Sequence, residues 1–364
     1  MVLIDSPWAL PAAGLLTGTV MGYVARRSHF CTMSALERYW YAGNANGLRA
    51  WVLAAATALV ATQAMVALGW INISSNMYVG PMLPIAGPIV GGLMFGFGMA
   101  FVGTCGFGAL IRLGGGNLRA LVVLTGIALA AMAAERGLTG HVREALVDPV
   151  AIDVSALGGQ SLGAIASTLA GRDVSLMVSL VISILMIAWV LRDGRFRADK
   201  AKLRAGLTIG LCIAAGWYFT SMFAQRLFVP VQLEAGSFVS PLADTILQIV
   251  TVTGALPDYG VGLVVGVLAG AAVAAWHSDD MRWEACDDAR ELSRHLLGAF
   301  LMGTGGILAF GCTIGQGVSA FSVLALSAPI VVASIALGAR VGLAVLVEGS
   351  PFGFLTAGGR QPAE

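Results

Sequence analysis

The chain has 364 residues, of which 57% are hydrophobic and only 11% charged, and its mean hydropathy is +0.84. A soluble domain carries about 25% charged residues, so this chain lacks the charge to cover a globular surface and reads as an all-α polytopic membrane protein. A net charge of +1 offers no bulk attraction to nucleic acid, and no nucleic-acid partner is expected.

The opening residues carry Asp5 and no basic n-region, so they do not read as a signal peptide. Apolar runs then predict nine spans, each near the roughly 20 residues that cross a bilayer. The first covers roughly 8–25 and is followed by the short apolar piece HFCTMSALERYW. The second and third cover roughly 48–70 and 85–104, and GFGALIRLGGG follows the third. Next come roughly 118–135, 174–192 and 205–223. PLADTILQIVTVTG precedes the seventh span, roughly 258–276. The eighth, roughly 295–312, leads into TIGQGVSAFSVLAL, and the ninth covers roughly 328–347. The four short pieces predict re-entrant helices, because lipid cannot satisfy irregular backbone unless protein or a cavity shields it.

Basic residues set the expected orientation. Loops after the first, third, fifth and seventh spans hold most of them, including Arg26, Arg27, Arg112, Arg119 and the run RDGRFRADKAKLR. The opposite side holds Arg136, Arg143, Arg172 and Arg226. The N-terminus is therefore expected on the side away from the cytoplasm and the C-terminus, with Arg360, on the cytoplasmic side.

The chain also repeats itself. GGLMFGFGMAFVGTCGFG and GAFLMGTGGILAFGCTIG both fit G-x4-G-x-G-x6-C-x2-G, and GLLTG at Gly14 has an echo in GLTIG at Gly206. This pairs the first span with the sixth and the third with the eighth. An odd shift of five spans reverses direction, so two inverted-topology halves are expected within one integral membrane domain spanning 1–364: 8–140, then a connector 141–204, then 205–347. Such repeats place substrate near the midplane, at discontinuous helices.

The spaced glycines Gly91, Gly96, Gly98, Gly298, Gly303 and Gly305 read as close-packing positions. Those crowding two cysteines read differently. Gly103, Gly106 and Gly108 surround Cys105, and Gly311 and Gly315 surround Cys312. Interior glycines weaken a helix by about 1 kcal/mol each relative to alanine, so each place reads as a break followed by a short helix whose free N–H groups suit an anion. A thiol at such a break is a weak hydrogen-bond partner, or a nucleophile if its pKa falls. Cys31, just after the first span, is a third candidate. Arg112 reads either as a snorkelling side chain or as a positive charge at an anion path, and Thr313 and Gln316 as partners of a substrate or of each other. Cys212 and Cys286 read as inert, the latter because Glu284, Asp287, Asp288 and Glu291 surround it. Glu37 and Arg38 read as a local ion pair, and His29 as an ordinary interfacial histidine. Without a CxxC or clustered histidines, no metal site or cofactor is expected.

RSHFCTMSALER, GGLMFGFGMAFVGTCGFGALIRLGGG and GGILAFGCTIGQGVSAFSVLAL together resemble the YeeE/YedE family of sulfur transporters, over most of the chain. The resemblance implies an hourglass-like fold with short helices dipping to its centre. It implies uptake of the thiosulfate ion, passed between three thiols by transient S–H···S hydrogen bonds, and maps those thiols onto Cys31, Cys105 and Cys312. A soluble cytoplasmic sulfur-carrier protein is the partner it suggests. Relatives with selenium-related substrates leave another sulfur or selenium species as an alternative cargo. No Walker motif is present, and the chain is not expected to be an enzyme. A second class of function is a membrane sulfurtransferase that forms a persulfide on Cys105 or Cys312. A third is a channel in which the cysteines merely pack.

Overall fold

Glycine periodicity builds this fold, and a computed structural model describes it for residues 8–73, 76–226, 231–251, 257–285 and 288–351. Asp5, Cys286, Asp287 and Arg360 lie outside the described residues. Helix α1 (Ala9–Ser28) buries Gly14, Gly18 and Gly22 on one face. The Thr32–Ala42 helix, α2, follows after His29 turns the chain at φ 52°, and α3 (Asn46–Ala67) returns across. A helical turn at Gly87–Gly91 leads into α4 (Gly92–Val102), then α5 (Gly106–Gly114) and α6 (Leu118–Arg136). A connecting layer holds α7 (Leu138–Leu146), α8 (Leu162–Ala170), α9 (Ser175–Leu191) and α10 (Gly194–Ala198). It also carries a two-stranded antiparallel ribbon of β1 (Met82–Pro84) and β2 (Ala151–Asp153). The second set is α11 (Lys200–Arg226), α12 (Ser240–Val250), α13 (Tyr259–His277) and α14 (Ala289–Leu308). A wide helical turn at Gly315–Ala320 and α15 (Ser327–Leu343) complete it.

Among the described residues, six helices are long and apolar enough to cross a membrane: α3, the α4–α5 run Gly87–Gly114, α6, α11, α13 and Ser327–Glu348. Helices also occupy the other three expected spans. α1 and α14 have 20 residues each, with glycine and threonine replacing bulky side chains. α9 has 17, and turns Leu180, Ile184, Leu185 and Trp189 outward. All four short apolar pieces are helical, as α2, α5, α12 and the turn at Gly315–Ala320.

Packing partners exchange between the two sets. α1 lies on α13, and α11 lies on α3; α4 lies on α15, and α14 lies on α6. α1 and α11 also touch, as do α4 and α14. Small residues make these approaches close. A Cβ added to Gly18 would sit 3.0 Å from the Gly266 Cα, and one added to Gly266 would sit 3.0 Å from the Gly18 Cα. Gly98 and Gly298 likewise bring α4 and α14 into backbone contact. In the absence of a hydrophobic drive between helices in lipid, such contact supplies the packing energy.

Candidate thiol path

Both repeated motifs break their helix at matched places. α4 ends at Gly103 with φ 75°, and Cys105 caps the start of α5 in an extended conformation. Phe310 turns the second break at φ 55°, with Gly311 beside it. The next helix then starts in the same way on each side: the Ala109 N–H donates to the Cys105 carbonyl at 2.8 Å, and the Gln316 N–H to the Cys312 carbonyl at 2.8 Å. Each break is also pinned by a side chain one to two turns on. Arg112 Nη2 donates to the Gly103 carbonyl at 2.9 Å, so Arg112 does more than snorkel. Gln316 Nε2 donates to the Ala309 and Phe310 carbonyls at 2.8 and 3.2 Å, rather than to Thr313.

These breaks bring three thiols together. Cys105 is the middle one, within electrostatic reach of both Cys31 and Cys312. Cys105 and Cys312 are each 1% exposed, whereas Cys31, capping α2, is half-buried. Cys31 Sγ lies 3.9 Å from Thr104 Oγ1, and Cys105 Sγ 4.0 Å from Thr32 Oγ1. A Cβ on Gly108 would meet Cys31 Sγ at 3.8 Å, so the bare glycine backbone lies directly beside that thiol. The Gly315 N–H points at Cys312 Sγ from 3.5 Å, and the Ile314 and Phe238 N–H groups and the Ser237 hydroxyl also face this sulfur. Thr313 is directed at Cys105, yet its hydroxyl makes no hydrogen bond of ordinary length, and Gln316 Oε1 is likewise buried without a partner. Gly106 lies against the Phe238 carbonyl, and Gly315 against Ser237 and the Tyr78 hydroxyl.

Tyr78, Thr104, Ser237 and Phe238 stand beside these thiols and glycines, and the sequence reading missed them. A faint signal for one of them, Phe238, was present. Aligning the start of α2 with the start of α12 sets Phe30, Cys31 and Thr32 opposite Phe238, Val239 and Ser240, so valine stands where a fourth thiol would complete the set. Cys212 packs mid-way along α11, outside the thiol line. Glu37 and Arg38 are both exposed and form no ion pair among the described residues. No group of three or more metal-ligating side chains occurs among the described residues.

Cavities flank the thiols. One, of about 210 Å³, reaches Tyr78, Ser237 and Gly311 and is lined by the carboxylates of Glu135, Glu234, Asp244 and Asp258, with Arg136 and Arg143. Arg136 serves Glu135 and Asp244 at 3.3 and 3.5 Å, and Asp258 caps α13. Among the described residues the Glu234 carboxylate, outside the spans, accepts the Gly260 N–H at 3.0 Å and has no ion-pair partner.

Burial, then the nearby Asp258 carboxylate, pushes the Glu234 carboxyl from 4.5 up to about 8, against the lowering effect of the Gly260 N–H. Between those values the folded chain holds a proton that the unfolded chain releases. This contribution to stability therefore declines as pH rises through that window and levels off above about pH 8. Thermal melting in detergent from pH 5 to 9 should show that decline, with Glu234→Gln flattening it; an equally steep decline in the variant would place the proton elsewhere.

A family profile described as sulphur transport matches residues 27–341. The chain is 23% identical to the thiosulfate transporter TsuA of Escherichia coli K12, over 84% of this chain and 86% of that protein. It is 24% identical to the thiosulfate transporter TsuA of Spirochaeta thermophila, over 86% of this chain and 92% of that protein. A shorter match, 32% identical over 29% of this chain and 26% of the relative, joins it to the probable transporter YedE of Salmonella typhimurium. A profile that covers the three cysteine motifs and most of the helices fixes the affiliation: the chain belongs to the sulphur transport family.

Proposed function

We propose that this chain carries thiosulfate inward across the bacterial inner membrane, handing the anion along Cys312, Cys105 and Cys31. The carrying observation is the placement of three neighbouring free thiols at helix starts, with backbone N–H groups beside them. Thiosulfate is a dianion with one soft sulfur terminus. Neutral thiols offer that sulfur weak donors, while N–H groups and helix starts hold charge without a fixed counter-ion. Conduction needs sites weak enough to release what they bind. Gly106, Gly108 and Gly315 keep backbone close to the path, Thr313 and Gln316 supply its unpartnered oxygens, and Arg112 pins one break. The chain is on this reading a transporter and not an enzyme.

The exchange of packing partners supports two inverted halves, 8–140 and 205–347, joined by the connector 141–204. Basic residues at the far ends of α1, α5, α9 and α13 support a cytoplasmic assignment for that side, with the N-terminus periplasmic. A soluble cytoplasmic sulfur carrier would draw the reaction forward by consuming the anion. Some such offset is required, since a dianion entering against an inside-negative potential is opposed by about 4 to 5 kcal/mol per 100 mV.

Purified chain in liposomes should take up radiolabelled thiosulfate, and cells without other thiosulfate uptake should regain growth on it as sole sulfur source. Absence of both would overturn the reading. Intact-mass analysis during uptake separates the relay from persulfide chemistry: a gain of about 32 Da, one sulfur atom, on a cysteine would favour the latter.

A further inference from the structure

Beyond Cys31 the structure holds a second, chemically different place for an anion. A cavity of about 270 Å³ begins at Thr104, the residue whose hydroxyl lies 3.9 Å from Cys31 Sγ, and runs past Arg112 to Arg119, Arg294 and His295. A neighbouring cavity of about 290 Å³ shares Arg112, Asn117 and Glu284 with it and adds Arg26 and Arg282. Both lie at the end of the molecule that the proposed orientation makes cytoplasmic.

The carboxylates here are already engaged. Arg119 Nη1 donates to Glu291 at 2.8 Å, and its Nε to the Ala285 carbonyl at 2.6 Å. Glu284 accepts from Asn117 Nδ2 at 2.6 Å. Arg112 donates to a carbonyl, and Arg294 is exposed; neither forms an ion pair with a carboxylate among the described residues. His295 is 7% exposed, and its Nδ1 is buried with no hydrogen-bond partner. Its Nε2 stands 3.9 Å from Glu291 Oε1. Buried polar atoms are nearly always paired, and one left open beside the guanidinium groups of Arg294 and Arg112, neither of them held by a carboxylate among the described residues, marks a place for a ligand.

The geometry points to an anion-release site, in which Arg112, Arg294 and His295 hold the oxygen end of a divalent tetrahedral oxyanion that Thr104 passes on from Cys31. This inference rests on the proposed transport of thiosulfate. The two places differ in what they recognise. Thiols read the soft terminal sulfur; guanidinium and imidazole N–H groups grip oxygens and are blind to it. Sulfate should therefore be rejected by the thiol line but accepted by the release site. Sulfate accumulated on the cytoplasmic side then competes with thiosulfate leaving the protein and slows net uptake.

Two measurements test this. Sulfate binding to the purified full chain is followed by titration calorimetry, in the wild-type chain and in Arg294→Gln, Arg294→Lys and His295→Leu. Loss of one guanidinium should weaken sulfate binding at least about tenfold, with Arg294→Lys retaining part of it. A chain with Cys31, Cys105 and Cys312 all changed to serine should still bind sulfate; should that chain fail to fold, the Arg294 series decides alone. In liposomes, sulfate enclosed on the cytoplasmic face should inhibit thiosulfate uptake by the wild type and not by Arg294→Gln. Equal sulfate affinity in folded wild type and Arg294→Gln overturns the site, whatever the uptake. Arg294-dependent sulfate binding without any thiosulfate uptake leaves the site standing and overturns the transport reading instead.

Discussion

Cys312→Ser should abolish thiosulfate uptake while leaving the chain folded. The substitution is nearly isosteric, and Cys312 makes no disulfide, so the break itself should persist. What changes is the atom facing the path. The Gly315 N–H, at 3.5 Å from sulfur, and the Ile314 and Phe238 N–H groups and Ser237 hydroxyl around it would meet a hard hydroxyl oxygen and bond it tightly. The soft weak donor would be lost, and a local network would take its place. A loss of about 100-fold or more in uptake corresponds to roughly 3 kcal/mol at the limiting step. Cys105→Ser should match it, because Cys105 links the other two thiols. Cys31→Ser should lose less, since Cys31 is half-buried and water can stand in for it. Cys212→Ser, off the path, should transport normally. Uptake into liposomes, with melting temperature as the folding control, separates these outcomes; full activity in both Cys312→Ser and Cys105→Ser would end the relay idea.

A second large effect should come from the close contact of α1 with α13. Gly18→Val and Gly266→Val should each prevent the chain from assembling. The Cα atoms of these residues sit so close that a single Cβ on either would fall 3.0 Å from the other. Even alanine must push α1 off α13, and valine adds two more carbons facing rigid backbone. Overpacking typically costs 1–3 kcal/mol where side chains can give way; here the obstacle is main chain, so a loss of about 3 kcal/mol or more is expected. Size-exclusion profiles in mild detergent should show aggregated or absent protein for both. Gly194→Ala, whose nearest neighbour is the flexible end of Arg197 at 3.7 Å, should give a normal peak.

Glycines mark what could be read from the sequence and what could not. The G-x4-G-x-G spacing of the third and eighth spans read as a packing face, so close contacts of α4 and α14 were expected before their partners were known; the four-residue spacing of Gly14, Gly18 and Gly22 and of Gly262, Gly266 and Gly270 carried the same signal and went unread. The two breaks were legible because cysteine and glycine recur there in one pattern. Their pinning was not: Arg112 and Gln316 hold matching carbonyls with different chemistries, and no residue identity links them. The segment around Ser237 and Phe238 was also hidden. Its likeness to Phe30–Thr32 rests on one phenylalanine and a hydroxyl, and Val239 replaces the cysteine that would have announced it. Tyr78 reaches the path from a loop, where periodicity carries no information. Thr313 and Gln316 were singled out as partners of a substrate or of each other, but where their buried oxygens point was not legible, since side-chain direction at a break follows from the backbone turns at Phe310 and Gly311 rather than from helical phase.

The cavities at the two ends carry opposite signs. Four carboxylates and two guanidinium groups line the one beside Cys312, and three guanidinium groups and two carboxylates the one below Thr104. On the transport reading proposed above, this sets a fixed field along the thiol line with its positive pole at the end taken as cytoplasmic. An anion held between the two cavities is drawn toward the arginine end, while the free energy of crossing from bulk to bulk is unchanged. Reversing the charge at either pole should therefore shift where along the thiol line the anion rests, and with it the rates of entry and release.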